Sequence, residues 1–357
     1  MNILFFAERI IYGGGEKVRS WLAKELVKAG HHVVYASPKP DESYLSSLKK
    51  VGLDGLVDVV EYPFYLKKKR PFRYYKAISN LYSDNGIDLL IIFGGSLVEQ
   101  VIARRLGVKI LLSERFYNGF RPLPSRVLKH LQYRIADGYV FQTPEASRMY
   151  NRRATRIGKV IANPIIDQLP DPIFHHLRKE IVNTGRLCDQ KDQATLIRAF
   201  SLFQKTHADY RLIIYGSGEY KERLLTLISE LGLNDCVQII SGMTDISQRI
   251  NGASMFVLSS KAEGMPNALI EAMSMGVLSI STDCPAYGSR MLIENNENAV
   301  LVPVGDAKRM AEEMVRLIDD IALADKIRHN AVAIRERLNP EKTAKAWVEY
   351  INAIAKK

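Results

Sequence analysis

The stretch Glu263-Gly264-Met265-Pro266-Asn267-Ala268-Leu269-Ile270-Glu271 decides how this chain is read. It follows a buried-strand pattern, Met255-Phe256-Val257-Leu258-Ser259, and leads into a helical run ending near Gly276. Pro266 suits the first helical turn, where its missing N–H would be unpaired anyway. The backbone N–H groups of Asn267 and Ala268 then point out of a helix N-terminus, which favours an anion. Glu271, four residues beyond Asn267, shares that helix face, while Glu263 stays in the loop ahead. Carboxylates repel phosphate, so these two are expected to bind hydroxyls of the same ligand. A nucleoside diphosphate carrying a sugar at each end, ribose and a hexose, fits that chemistry. The plainer alternative is an ordinary strand-loop-helix with two solvated glutamates, which leaves the placement of glycine, proline and both acids to coincidence.

Strand-like runs alternate with helical ones on both sides of this element. In the first half they are Ile3–Phe6, Val33–Ala36, Val57–Val60, Leu89–Phe93, Ile110–Leu112 and Tyr139–Phe141; in the second, Ile181–Thr184, Leu212–Tyr215, Val237–Ile240, Met255–Leu258 and Leu278–Ser281. Alternation of this kind predicts parallel sheets with helices on both faces, here as two doubly wound α/β domains. The boundary is placed at Asn163-Pro164, because proline biases the residue before it away from helix. Helices are expected at about 306–337, and a final helix carrying Trp347 and Tyr350 is expected to return to the first domain. Ligands of open α/β sheets bind outside the carboxyl ends of the strands, so the substrates are expected to meet between the two domains.

The bulk composition is that of a soluble globular protein: 357 residues, 47% hydrophobic and 25% charged, a length that accommodates two ordinary domains. No apolar run approaches the roughly 18 residues of a membrane span. Asn2 to Ala7 reads as a strand, since a basic n-region and a cleavage site are missing. Cys188, Cys236 and Cys284 have neither pairing nor metal-ligand spacing, which points to a reducing cytoplasm without structural zinc. The net charge of +11 is uneven: residues 1–165 hold 27 Lys and Arg against 14 Asp and Glu, leaving 23 against 25 for the remainder. The first half is therefore expected to face an anionic partner.

Further residues supply the rest of the chemistry. Gly185-Arg186-Leu187 follows the first strand of the second domain, with Lys191 five residues past the arginine, and two cations there can hold a diphosphate. Gly216-Ser217-Gly218 is either a tight turn or a place where backbone approaches a nucleotide. Gly13-Gly14-Gly15-Glu16 opens a helix and offers backbone N–H groups to phosphate or sugar oxygens. Neither cluster completes G-x-G-x-x-G, since Val18 and Lys221 stand at the last position. No D-x-D pair occurs, and the adjacent pairs His31-His32 and His175-His176 read as surface or strand-end residues, so metal-free chemistry is expected. There is no G-x-S-x-G elbow and no P-loop, which argues against hydrolases and NTPases. The segment Tyr62 to Tyr75 interleaves Lys67, Lys68, Lys69, Arg70 and Arg73 with aromatics. That mixture suits an anionic membrane interface; nucleic-acid stacking uses the same residue types, and a solvated loop is the third reading.

Together, the E-x7-E element (Glu263, Glu271), the G-R-x5 loop with Lys191, the G-S-G turn and the N-terminal G-G-G-E loop resemble glycosyltransferase family 4. The resemblance spans nearly the whole chain and implies the GT-B fold with retention of anomeric configuration. It implies that residues 1–163 with the returning helix 341–357 bind the acceptor, and that 164–340 bind the nucleotide-sugar donor. Arg186 and Lys191 would bind the donor diphosphate, with Gly185, Gly216 and Gly218 beside them. Glu263 would sit by the donor sugar and Glu271 would bind the ribose hydroxyls. Backbone around Met265, Pro266, Asn267 and Ala268 would contact sugar and phosphate, Gly14 and Gly15 would border donor phosphate or acceptor, and the base pocket would lie near Gly242 and Met243. Two departures stand out: Ser113-Glu114-Arg115-Phe116 lacks the imidazole of many relatives, so Glu114 or Arg115 is the expected substitute on the acceptor side, and Gly288-Ser289-Arg290-Met291-Leu292 lacks their local acid.

The expectation is thus an enzyme that moves a hexose or N-acetylhexosamine from a UDP-sugar to a lipid-linked or surface glycan, including a polyprenyl-diphosphate-linked one. It would need no cofactor or metal and would sit on the inner face of the cell membrane through Tyr62–Tyr75, with no nucleic-acid partner. The alternatives are a nucleotide-sugar epimerase on the same plan and a non-catalytic nucleic-acid-binding subunit built on the basic first half.

Overall fold

The computed structural model describes residues 1–7, 14–93, 97–115, 132–150, 152–166, 168–243, 245–285 and 288–356. The chain divides into two compact units: residues 1–166 together with 340–357, and residues 167–339.

The first unit holds a seven-stranded sheet of β1 (Asn2–Phe6), β2 (His32–Ser37), β3 (Asp58–Glu61), β4 (Leu89–Ile92), β5 (Lys109–Glu114), β6 (Gly138–Phe141) and β7 (Lys159–Val160), in the order β3-β2-β1-β4-β5-β6-β7. The second holds β8 (Arg178–Thr184), β9 (Arg211–Tyr215), β10 (Val237–Ile240), β11 (Ala253–Leu258), β12 (Ser279–Thr282) and β13 (Val300–Val302), in the order β10-β9-β8-β11-β12-β13. Every pairing is parallel. These are the two doubly wound sheets the alternation predicts. β7 and β13, absent from the sequence reading, are edge strands of two and three residues, too short for a pattern to register.

Parallel strands covered on both faces read as continuous apolar runs, and β1 shows why. Ile3 and Phe5 enter one layer with Trp21, Leu22 and Trp347. Leu4, between them, enters the opposite layer with Ile78, Leu81 and Ile102. A third core, around Ile181, Phe200, Leu212, Val257 and Met314, fills the second unit.

The expected helical stretch after β13 is three helices, Ala307–Asp319, Ile321–Ala331 and Ile334–Arg337. Asp306 and Asp320 cap the first two, accepting from Arg309 N at 2.9 Å and Leu323 N at 3.0 Å. The final helix, Pro340–Ala355, belongs to the first unit. Its Trp347 is fully buried, and Tyr350 Oη both accepts from Tyr139 N at 3.0 Å and donates to Ile157 O at 2.5 Å.

Candidate functional site

In the second unit the strand order reverses between β8 and β11, and these two strands pair directly. Loops leaving their carboxyl ends are therefore neighbours, which is where open α/β sheets bind ligands. The segment 185–192 leaves β8 and the segment 259–266 leaves β11.

The first segment is shaped by backbone contact. Gly185 N donates to Tyr215 O at 3.0 Å, Leu187 N to Ser217 O at 2.9 Å, and Tyr220 N to Leu187 O at 3.1 Å. A Cβ on Gly216 would stand 2.1 Å from Gly185 O, and one on Gly218 would stand 2.3 Å from Leu187 O. The two glycines thus admit the chain's own backbone. A 3-10 turn, Asp189–Lys191, follows. Asp192 takes a left-handed conformation (φ 47°) and receives Thr195 Oγ1 on its carboxylate at 2.7 Å, opening the helix Gln193–Phe203.

The two segments are stitched together. Gln190 Nε2 donates to Ala262 O at 2.8 Å, Lys261 N to Gln190 O at 2.8 Å, and Ser259 Oγ to Lys191 O at 3.0 Å. At the centre Lys191 Nζ lies 2.5 Å from Glu263 Oε1, an oxygen that also accepts from Ser260 Oγ at 2.6 Å. The side chains of this pair are 17% and 9% exposed. Arg186 is exposed beside them, and no described residue pairs with its guanidinium. Beneath the pair, burial and then the Glu263 charge push the Cys284 thiol up to about 12. The floor is close-packed: a Cβ on Gly288 would meet Gly264 O at 2.0 Å.

The helix after β11 is Asn267–Ser274, so Pro266 is the residue ahead of it (φ −79°, ψ 101°) and not part of its first turn. The helix starts one residue later than expected, and Pro266 O accepts from Leu269 N and Ile270 N, both at 3.1 Å. Asn267, Ala268 and Glu271 are half-buried, whereas Met265 and Pro266 are buried. After β10, Gly242 is left-handed (φ 78°), with open space where a Cβ would go, and Met243 is half-buried. Ser241 Oγ donates to Gly216 O at 2.6 Å, tying the ends of β10 and β9 together. Apart from Glu271, one helical turn further on, the residues singled out in the second half are brought to one edge of one sheet.

The first-half candidates lie differently. Gly14 and Gly15 open the helix Gly14–Lys28, with Gly14 exposed; Gly13 and Phe116 lie outside the described residues. Glu114 and Arg115, expected on the acceptor side, are buried inside their own unit. Tyr133 Oη donates to Glu114 at 2.5 Å. Arg115 donates from Nε to Ser113 Oγ at 3.0 Å and from Nη1 to Asn163 Oδ1, and it lies 4.8 Å from the centre of the Phe93 ring. Burial holds the Arg115 guanidinium down at about 9, with Glu114 opposing the shift. Within Tyr62–Tyr75 the aromatics divide. Tyr62 and Tyr74 are core residues, 1% exposed, while Tyr65 and Phe72 are 69% and 90% exposed.

Ser260, Gln190 and Asp192 organise the site and escaped the sequence reading; only the Ser259-Ser260 pair at a strand end hinted at hydroxyl partners. Among the described residues, no group of three or more His, Cys, Asp or Glu is placed to hold a metal ion. No helix among them is long and apolar enough to cross a membrane.

Residues 170–333, nearly all of the second unit, match the family model of glycosyl transferases group 1. The whole chain is similar to a Haemophilus influenzae protein described as an uncharacterized glycosyltransferase, 25% identical over 94% of this chain and 95% of that one. It is also similar to a Campylobacter jejuni alpha-1,4-N-acetyl-D-galactosaminyltransferase that acts on a diNAcBac-PP-undecaprenol glycan, 23% identical over 93% and 92% of the two chains. Among solved structures, Anabaena HepE in complex with UDP and glucose superposes with a TM-score of 0.83 at 18% identity, covering 99% of this chain and all of that one. The pneumococcal O-GlcNAc transferase GtfA in complex with UDP and GlcNAc gives 0.81 at 14% identity, covering 100% and 99%. The fold is GT-B, and the matched segment together with the whole-length relatives supports a glycosyltransferase.

Proposed function

We propose that this chain is a retaining, metal-independent glycosyltransferase of family 4. It moves a hexose or N-acetylhexosamine from a UDP-sugar to a lipid-linked or surface-polysaccharide glycan. It works at the inner face of a membrane that Tyr62–Tyr75 engages. The observation that carries the reading is the Lys191–Glu263 pair beside the exposed Arg186, at the reversal point of the second sheet. The UDP-bound neighbours and the undecaprenol-linked substrate of the Campylobacter relative support the donor and acceptor classes.

In this reading Glu263 neutralises Lys191 until the donor arrives. A donor diphosphate draws Nζ toward itself, with Arg186 as the second cation and the N-terminus of the helix Asn267–Ser274 as a third source of positive potential. Glu263, released in part, turns its carboxylate to the donor sugar, and Glu271 takes the ribose hydroxyls. As the bond between the anomeric carbon and the diphosphate oxygen breaks, the cations stabilise the leaving charge. The acceptor hydroxyl bonds to that carbon on the same face, and its proton passes to the departing phosphate oxygen.

The test is calorimetry with UDP, GDP and ADP in EDTA, followed by UDP-release assays across UDP-sugars and NMR of the product's anomeric proton. UDP binding without metal and a retained configuration are expected. An inverted product refutes the mechanism; no response to any nucleoside diphosphate refutes the donor site.

A further inference from the structure

The helix Leu97–Arg105 widens the basic-aromatic surface in a way the sequence conceals. Glu99, on its inner face, is 5% exposed and accepts from Lys67 Nζ at 2.8 Å and from Tyr74 Oη. This clamp fixes the turn Leu66–Lys69 and the helix Pro71–Asp84 against Leu97–Arg105. With Glu99 inward, Val98, Val101 and Arg105 form the outer stripe at helical spacing; both valines are exposed, 43% and 37%. Arg105 lies 5.9 Å from the centre of the Tyr75 ring, joining that stripe to the neighbouring helix. Phe72 at 90% exposure and Tyr65 at 69% stand at the near end. Lys69, Arg70, Arg73 and Lys76 are exposed around them, and none has a carboxylate partner among the described residues.

We infer that the two helices Pro71–Asp84 and Leu97–Arg105 form one preformed docking face for an anionic phospholipid bilayer, with Phe72 and Tyr65 entering the interface and Val98 and Val101 following. This deepens the membrane part of the proposed function and rests on it. Unpaired cations seek anionic charge, but RNA or an acidic protein would leave the aliphatic stripe of the second helix without a use. A bilayer interface satisfies both kinds of group, because aromatic and aliphatic side chains reach the acyl boundary while the cations stay at the headgroups.

Flotation of the full chain with phosphatidylglycerol or phosphatidylcholine vesicles tests the face. Binding is expected to phosphatidylglycerol alone and to fall at about 1 M salt, where screening is nearly complete. Lys69→Glu and Arg70→Glu are each expected to weaken it at least fivefold, since one basic residue near an anionic surface is worth roughly that factor. Val101→Asp, an exposed change outside Tyr62–Tyr75, is expected to weaken it at least tenfold while UDP stabilises the variant as it does the wild type. Unaltered vesicle binding by Val101→Asp overturns the two-helix face. So does equal binding to phosphatidylcholine, binding of a short RNA with no vesicle binding, or self-association that Val101→Asp dissolves without any vesicle binding. A wild-type chain that binds vesicles but not UDP leaves the face standing and removes the donor reading instead.

Discussion

Breaking the Lys191–Glu263 pair from one side at a time gives a quantitative test of the site. Lys191→Met leaves the Glu263 carboxylate, in a side chain 9% exposed, with only Ser260 Oγ at 2.6 Å on the oxygen the lysine held. Removing one partner of a buried pair costs about 3–5 kcal/mol, chiefly because the other charge is left uncompensated. Lys191 is 17% exposed, so water relieves part of the loss and the lower end, about 3 kcal/mol, applies. For a unit of this size that lowers the midpoint by roughly 6–12 °C. Glu263→Met should cost less, since the freed ammonium can reach solvent beside Arg186. The double variant should recover most of the loss, giving a coupling of about 2–3 kcal/mol. Both tryptophans, Trp21 and Trp347, lie in the first unit's core, so their fluorescence follows that unit while far-UV circular dichroism follows both. The variants should shift the dichroism transition. Two single variants within about 0.5 kcal/mol of wild type, with an additive double, would refute the pair as the site's organising contact.

Other outcomes follow from the same geometry. Gly216→Ala sets a Cβ against Gly185 O at 2.1 Å, a backbone atom that cannot swing away, so a loss above about 2 kcal/mol and an abolished thermal response to UDP are expected. Trp347→Ala empties a fully buried site in the last helix and should cost about 3–5 kcal/mol, read in the transition reported by Trp21. Cys284, buried with its thiol pushed up to about 12, should resist iodoacetamide at neutral pH in the folded chain and react once urea unfolds it, as peptide mapping would show. Burial, and then the N-terminal ammonium, hold the His31 imidazole below its ordinary 6.5, so the unfolded chain takes the proton first. That contribution to stability is present above 6.5 and is lost as pH falls below it; His31→Asn should flatten the acid side of a plot of Tm against pH.

Most of the fold was legible because both faces of each sheet are covered, which turns strands such as Met255-Phe256-Val257-Leu258 into unbroken apolar runs. Their amino-terminal ends were not: β8 begins at Arg178, three residues before its first apolar residue, because those positions pair at the sheet's wet rim. The residues of the candidate site in the second unit were legible for a related reason, since loops at strand carboxyl ends carry glycine and charge where neighbours carry leucine. Their partners were not. Lys191 and Glu263 are 72 positions apart, and only the β8–β11 pairing makes them touch. Arg115 misled for the opposite reason: a charged residue at a strand end reads as displayed, yet Phe93, Asn163 and Ser113 enclose it.

The helix Pro340–Ala355 also sets the order in which the two units can be completed. Residues 167–339 are contiguous and can complete their sheet as soon as they leave the ribosome. Residues 1–166 emerge earlier, but one layer of their sheet lacks Trp347, Ile351 and Ile354 until the whole second unit has been made. The later-born unit can therefore mature first, while the earlier one waits half-clad with apolar surface open to chaperones. A nonsense codon near position 340 would spare the second unit and strand the first, so a truncation after residue 339 would be felt in the sheet that begins at residue 2.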